Sequence, residues 1–111
     1  MNIPESTKRS LQLTLVERQR ERWSGLQDVK VRYRGSFAYV DGILSDGEEQ
    51  PLCRLRYGGD AAFFGFAIYR ASHDDYEDSI LPDGSFEAPP DKALDCACAL
   101  YLDDPAGWPT N

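Results

Sequence analysis

The chain has 111 residues, 41% hydrophobic and 28% charged, with a net charge of -7. This length suits one domain with a single core and leaves no room for a second. The composition is that of an ordinary globular protein, not a disordered one, and the excess of acid argues against indiscriminate nucleic-acid binding. No apolar run approaches the ~18 residues of a membrane helix and no export signal is legible, so the expected location is the cytoplasm.

The average charge conceals a split. Residues 1–70 carry eleven Lys/Arg against nine Asp/Glu, a balance of +2, whereas residues 71–111 carry one against ten, a balance of -9. Such polarity marks either an interaction surface or two halves that neutralise each other when folded. Cys53, Cys96 and Cys98 are an odd number for a disulfide framework. On a helix, Cys96 and Cys98 point about 200° apart, which suits neither a bond nor a shared metal. They read as small buried hydrophobes.

In chain order, residues 1–9 are polar and peripheral, with Pro4 and Ser6 as helix-start signals. From Ser10 the spacing predicts a helix whose buried stripe includes Leu13, Val16 and Trp23. Its arginines alternate with Glu17 and Glu21, the pattern of an ion-paired solvent face. Ser24-Gly25 stops it.

Val29, Val31 and Tyr33 then alternate with Lys30, Arg32 and Arg34, which predicts a half-buried strand. After Gly35-Ser36 comes a second strand, Phe37 to Leu44, and the Asp46-Gly47 pair signals a turn. In the third strand Cys53, Leu55 and Tyr57 oppose Arg54 and Arg56. A Gly58-Gly59-Asp60 turn leads to Phe63–Tyr69, the most aromatic run in the chain, expected as a central strand buried on both faces.

The two Arg-bearing strands are the sharpest feature of the sequence. Lys30, Arg32, Arg34, Arg54 and Arg56 are expected to form one basic sheet face. Binding of single-stranded nucleic acid by stacking would also need aromatic rings on that face. Tyr33 and Tyr57 alternate away from the arginines, so an ordinary charged solvent face is the favoured reading.

His73, Asp74, Asp75, Glu77 and Asp78 form the densest acidic cluster, expected as a solvated loop. Their spacing is not that of a metal site, and no nucleophile or orienting group accompanies the histidine, so no catalytic residue, metal or cofactor is assigned. Ser79-Ile80-Leu81 is a candidate fifth strand before the Pro82-Asp83-Gly84 turn. A last helix opens at Ala88-Pro89-Pro90-Asp91-Lys92 and carries the stripe Leu94, Ala97, Cys98 and Tyr101. Asp103-Asp104-Pro105 ends it, and Trp108 lies in a Pro/Gly-rich tail.

The segments Val31-Arg-Tyr-Arg-Gly35, Leu52-Cys-Arg-Leu-Arg-Tyr-Gly-Gly59, Gly65-Phe-Ala-Ile-Tyr69, Tyr76-Glu-Asp-Ser-Ile-Leu-Pro82 and Ala93-Leu-Asp-Cys-Ala-Cys-Ala-Leu-Tyr101 resemble a group of small actinobacterial proteins with no assigned activity. That resemblance runs from about Arg20 to Pro105 and implies an intact domain without implying a function. The order of elements is more loosely similar to HicB-like antitoxin domains and to double-stranded-RNA-binding domains, a likeness of fold alone.

The expected architecture is therefore α+β: an antiparallel meander of four strands, with room for a short fifth, and both terminal helices on one face. The expected function is a non-enzymatic module that binds a protein partner, or a second copy of itself, through its charged surfaces. The alternatives are nucleic-acid binding through the basic face, an acidic mimic of nucleic acid, and a small metal-dependent enzyme centred on His73 and Asp75.

Overall fold

The computed structural model describes residues 2–79 and 84–101. Its elements are α1 (Glu5–Arg22), β1 (Asp28–Arg34), β2 (Phe37–Ile43), β3 (Glu49–Tyr57), β4 (Phe64–Arg70), β5 (Asp75–Asp78), β6 (Glu87–Ala88) and α2 (Pro90–Tyr101). The strands β1 to β5 form an antiparallel meander in sequence order, and β6 pairs with the start of β4. This is the α+β arrangement expected, with five strands in the meander. The fifth is Asp75–Asp78, where a loop was expected. Of the candidate Ser79-Ile80-Leu81 strand only Ser79 is described, bonded through its N–H to the carbonyl of Phe66; Ile80, Leu81, most of the Pro82 turn, Asp103-Asp104-Pro105 and Trp108 lie outside the described residues.

Both helices pack on one side of the sheet, α1 against β1 and α2 against β3 and β4, and they touch each other. The core between them holds Leu11, Leu15 and Trp23 from the α1 side, Val29, Val40, Leu55 and Phe64 from the sheet, and Leu94, Ala97 and Cys98 from α2. Val31, Tyr33 and Tyr57 pack at its margin, as their alternation implies. The side chain of Tyr101 lies outside the described residues.

Two features of α1 differ from expectation. The helix starts at Glu5, with Ile3 and Thr7 buried, so much of residues 1–9 belongs to the structured domain. Its inward stripe is Thr7, Leu11, Leu15 and Gln19, spaced four apart, and leads to Trp23; Leu13 faces outward at 59% exposure. The alternating leucines drew the predicted stripe through the wrong one, because a helix brings i and i+4 together but not i and i+2.

Hairpin geometry fixes the register of the sheet. The β1–β2 link is the two-residue turn Gly35-Ser36, with Gly35 at φ 60°, a left-handed conformation that glycine adopts without a Cβ clash. Between β2 and β3 the pairing slips, from Val40 opposite Cys53 to Asp41 opposite Pro51. The extra residue of this bulge, Leu52, is buried together with Cys53, so both enter the core although they are adjacent in sequence.

The two helices are tied by one carboxylate. Asp95 of α2 accepts hydrogen bonds from Arg18 Nε (3.0 Å) and from Trp23 Nε1 (2.9 Å), and also from Arg18 Nη2. One residue after Arg18, Gln19 Nε2 donates to the carbonyl of Leu26 at 2.7 Å and so anchors the chain leaving α1. No buried side-chain nitrogen or oxygen among the described residues lacks a partner. Replacing Asp95 by Ala would take from a mostly buried guanidinium its bidentate partner, leaving it the exposed Glu21 at 3.9 Å, and would remove the acceptor of the Trp23 indole N–H. The expected loss is about 3 kcal/mol of unfolding free energy, the cost of breaking a buried ion pair from one side. Asp95→Asn, which keeps an acceptor for Trp23, should lose less; urea unfolding of the two variants checks both values.

Candidate functional site: the open face of the sheet

Because both helices occupy one side, the other side of the sheet is uncovered. Alternation places Lys30, Arg32 and Arg34 of β1 there, opposite Asp41, Tyr39 and Phe37 of β2. Phe37 and Tyr39 are in turn opposite Arg56 and Arg54 of β3, which face Gly65 and Ala67 of β4. Beyond these, Tyr69 pairs with Tyr76 and Ala67 with Asp78. The expected basic face is thus assembled from all five of its predicted residues. Tyr33 and Tyr57 turn toward the core, as expected, but Phe37, Tyr39, Tyr69 and Tyr76, which that expectation did not consider, share the outward face with the arginines.

Rings and guanidiniums form an interlocked layer. Arg54 lies 4.5 Å from the Phe37 centroid and 5.7 Å from that of Tyr76, and Arg32 lies 5.3 Å from Tyr39. Tyr76 meets both Tyr39 and Tyr69 edge-on at 5.4 Å. Burial under this layer pushes the Tyr76 phenol above its ordinary pKa, and the nearby Asp41 adds to the shift.

The cations of the face differ in how far they are neutralised. Arg32 makes a bidentate pair with Asp41, whose side chain is only 4% exposed, and this bond raises the Arg32 pKa further. Lys30 meets Glu49 at 3.3 Å, and Arg54 meets the exposed Asp78 at 3.6 Å. Arg34 and Arg56 are exposed and, among the described residues, have no carboxylate partner. They flank Phe37 in one row across three strands, so the positive surplus of the face is concentrated there.

Beside that row is a groove of about 300 Å³, floored by Gly65 and Ala67 and walled by Phe37, Arg54, Arg56 and Phe86. The absence of a side chain at Gly65 lets Arg56 lie across it, since a Cβ there would sit a tight 3.2 Å from Arg56 Nε. The run Phe63–Tyr69 is consequently not buried on both faces as expected. Phe64 and Phe66 enter the core, Gly65 and Ala67 line the groove, and Phe63 precedes the strand at 44% exposure. Phe86, which the sequence reading did not single out, is 77% exposed.

The acidic cluster is dispersed by folding. Asp75 pairs with Arg70 through two 2.8 Å bonds, which hold its carboxyl below the usual range, and Glu77 reaches the same arginine at 3.8 Å. Asp74 accepts from the Tyr69 hydroxyl at 2.6 Å, and Asp78 turns to Arg54 on the open face. His73 contacts the hydroxyl of Ser72 at 2.9 Å. Among the described residues no three His, Cys, Asp or Glu side chains converge as metal ligands. Asp95, by contrast, is buried against Arg18 and lies apart from this cluster. No described helix is long and apolar enough to cross a membrane.

No family model, curated protein or solved structure matches the chain.

The three thiols are packing groups. Cys53 and Cys98 are fully buried, and desolvation pushes both far above the ordinary thiol pKa of 9.0; half-buried Cys96 is raised for the same reason. A neutral thiol is a poor nucleophile, so Cys53 and Cys98 should resist a water-soluble thiol reagent until the protein unfolds. Their folded-state pKa values are raised, so their contribution to stability is complete below pH 9 and is lost as pH rises, because only the unfolded chain can ionise them. Between pH 8 and pH 10 the two should together reduce unfolding free energy by about 2–3 kcal/mol. Urea titrations across that range check the slope, which should flatten in the Cys53→Ala/Cys98→Ala variant.

Proposed function

We propose that this chain is a non-enzymatic binding module that takes an anionic partner on the open face of its sheet. The observation that carries the reading is the placement of Arg34 and Arg56, uncompensated among the described residues, on either side of Phe37 on a face that neither helix covers. Arg and aromatic side chains are the residue types that dominate binding energy at recognition surfaces. Here they are preorganised, since Arg54 is held between two rings and Arg56 rests on Gly65.

The non-enzymatic part of the reading rests on the chemistry of the groove. Guanidinium groups stay protonated throughout the physiological range, phenyl rings neither donate nor accept a proton, and the carboxylate at the groove, Asp78, is engaged by Arg54. Such a surface holds charge in place without transferring it. The acidic β5 supplies partners for Arg70 and Arg54 and is thereby occupied within the molecule.

Three labelled polyanions at low ionic strength test the reading: polyglutamate, inorganic polyphosphate and a single-stranded oligonucleotide. At least one should bind, with affinity falling as salt rises, and Arg34→Glu/Arg56→Glu should abolish binding. Both changes are at exposed positions, so the thermal midpoint should move little. Failure of all three probes to bind the wild-type protein would overturn the proposal.

A further inference from the structure

Resting on that reading of the open face, we infer that the groove between Arg54, Arg56, Phe37 and Phe86 is a site for single-stranded nucleic acid, with bases on the phenyl rings and phosphates on the guanidiniums. Three observations distinguish this ligand from other polyanions. The first is that exposed rings and exposed charge alternate along one path. Phe86, at 77% exposure, forms a wall of the groove, and the surface continues past it through Arg56 to Phe63, at 44% exposure. An acidic peptide would satisfy the guanidiniums and leave both phenyl rings in water. A nucleotide uses both, because every base has a face that stacks and a phosphate that needs a cation.

The second observation is the shape of the floor. Gly65 and Ala67 present almost no side chain, so the groove of about 300 Å³ is flat-bottomed and open at the top, the size of one base with part of its sugar. A duplex keeps its bases stacked inside and offers the rings no base face, so a double strand can reach the arginines but not Phe86. Selection against duplex follows from the geometry.

The third is the local charge balance. Asp78 at the groove and Glu87 beside Phe86 are carboxylates that an approaching phosphate must pass, and Asp78 already engages Arg54 at 3.6 Å. The phosphate contacts therefore fall to Arg56 at the groove and to Arg34, which lies beyond Phe37 and outside the groove. Two such contacts on a single strand predict a slope of log affinity against log salt of about -1.4, shallow for a nucleic-acid binder. The stacking contribution, which salt does not weaken in this way, carries the remainder.

Fluorescence anisotropy with short labelled homopolymers of DNA and RNA tests the inference, alongside a duplex of the same length, polyphosphate and polyglutamate. Single strands should bind more tightly than every other probe. Phe86→Ala should weaken them by about tenfold or more, with Phe86→Trp restoring affinity. Arg56→Ala should reduce the salt slope by about 0.7. Because Phe86 is mostly exposed, its replacement leaves the core intact, and an unchanged melting curve verifies this. If polyphosphate or polyglutamate matches the single strands, if the duplex is preferred, or if Phe86→Ala is silent, the nucleic-acid assignment falls while the anion-binding face stands. If no probe binds the wild-type protein, both fall.

Discussion

The carboxylate of Asp95 is the point on which the architecture depends. By accepting from Arg18 and Trp23 together, it joins the end of α1 to the middle of α2 and commits both helices to the same side of the sheet. A single shared acceptor can do this because its partners, five residues apart, are Arg18 within α1 and Trp23, the residue that ends the helix with non-helical backbone angles. The consequence lies on the far side of the sheet, which has no third layer to cover it. Such a face must be stabilised by its own side chains or be used.

The face does both, with different residues. Arg54 and Arg32 lie over aromatic rings, and Arg32 is bound to the buried Asp41, so the inner part of the layer is internally satisfied. Arg34, Arg56 and Phe86 lie outside that network and account for what is left over. The molecule as a whole is anionic at -7, yet at moderate salt the field of its distant carboxylates decays within about 10 Å. A ligand in contact with Arg56 therefore senses the nearest groups, and the chain-wide total matters chiefly for the approach.

Much of the fold was legible in the sequence. Strict alternation in β1 and β3 correctly separated Val29, Cys53 and Leu55 from the basic residues, and Pro90 at the first turn of α2 marked its start. Alternation in β2 was equally readable. Phe37, Tyr39 and Asp41 occupy one parity and Ala38 and Val40 the other, so the outward aromatics could have been found there instead of being sought only beside the arginines. The reason they are not obvious is that size misleads: small Ala38 and Val40 fill the core side of β2, while the large rings lie outside.

Other features had no local signal. Asp95 reads as one polar residue in an apolar helix, and its partners are 72 and 77 positions away. The dispersal of the acidic cluster follows from β5 folding back on β4 as a tight hairpin, which the run of polar residues after Arg70 did not reveal; its one distant contact is Asp78 with Arg54. The bulge at Leu52 likewise follows from pairing with β2, not from the residue itself.

The two rims of the meander carry opposite charge. β1 contributes Lys30, Arg32 and Arg34 and β5 contributes Asp75, Glu77 and Asp78, and each is the terminal strand of its side. Like rims of two molecules repel, which disfavours a twofold pair joined strand to strand. Unlike rims attract, but that joining is head-to-tail and leaves a fresh rim at each end, so it lengthens without closing. Any contact between unlike rims of two copies would therefore weaken as salt rises, the more so because much of this charge is already paired within the molecule.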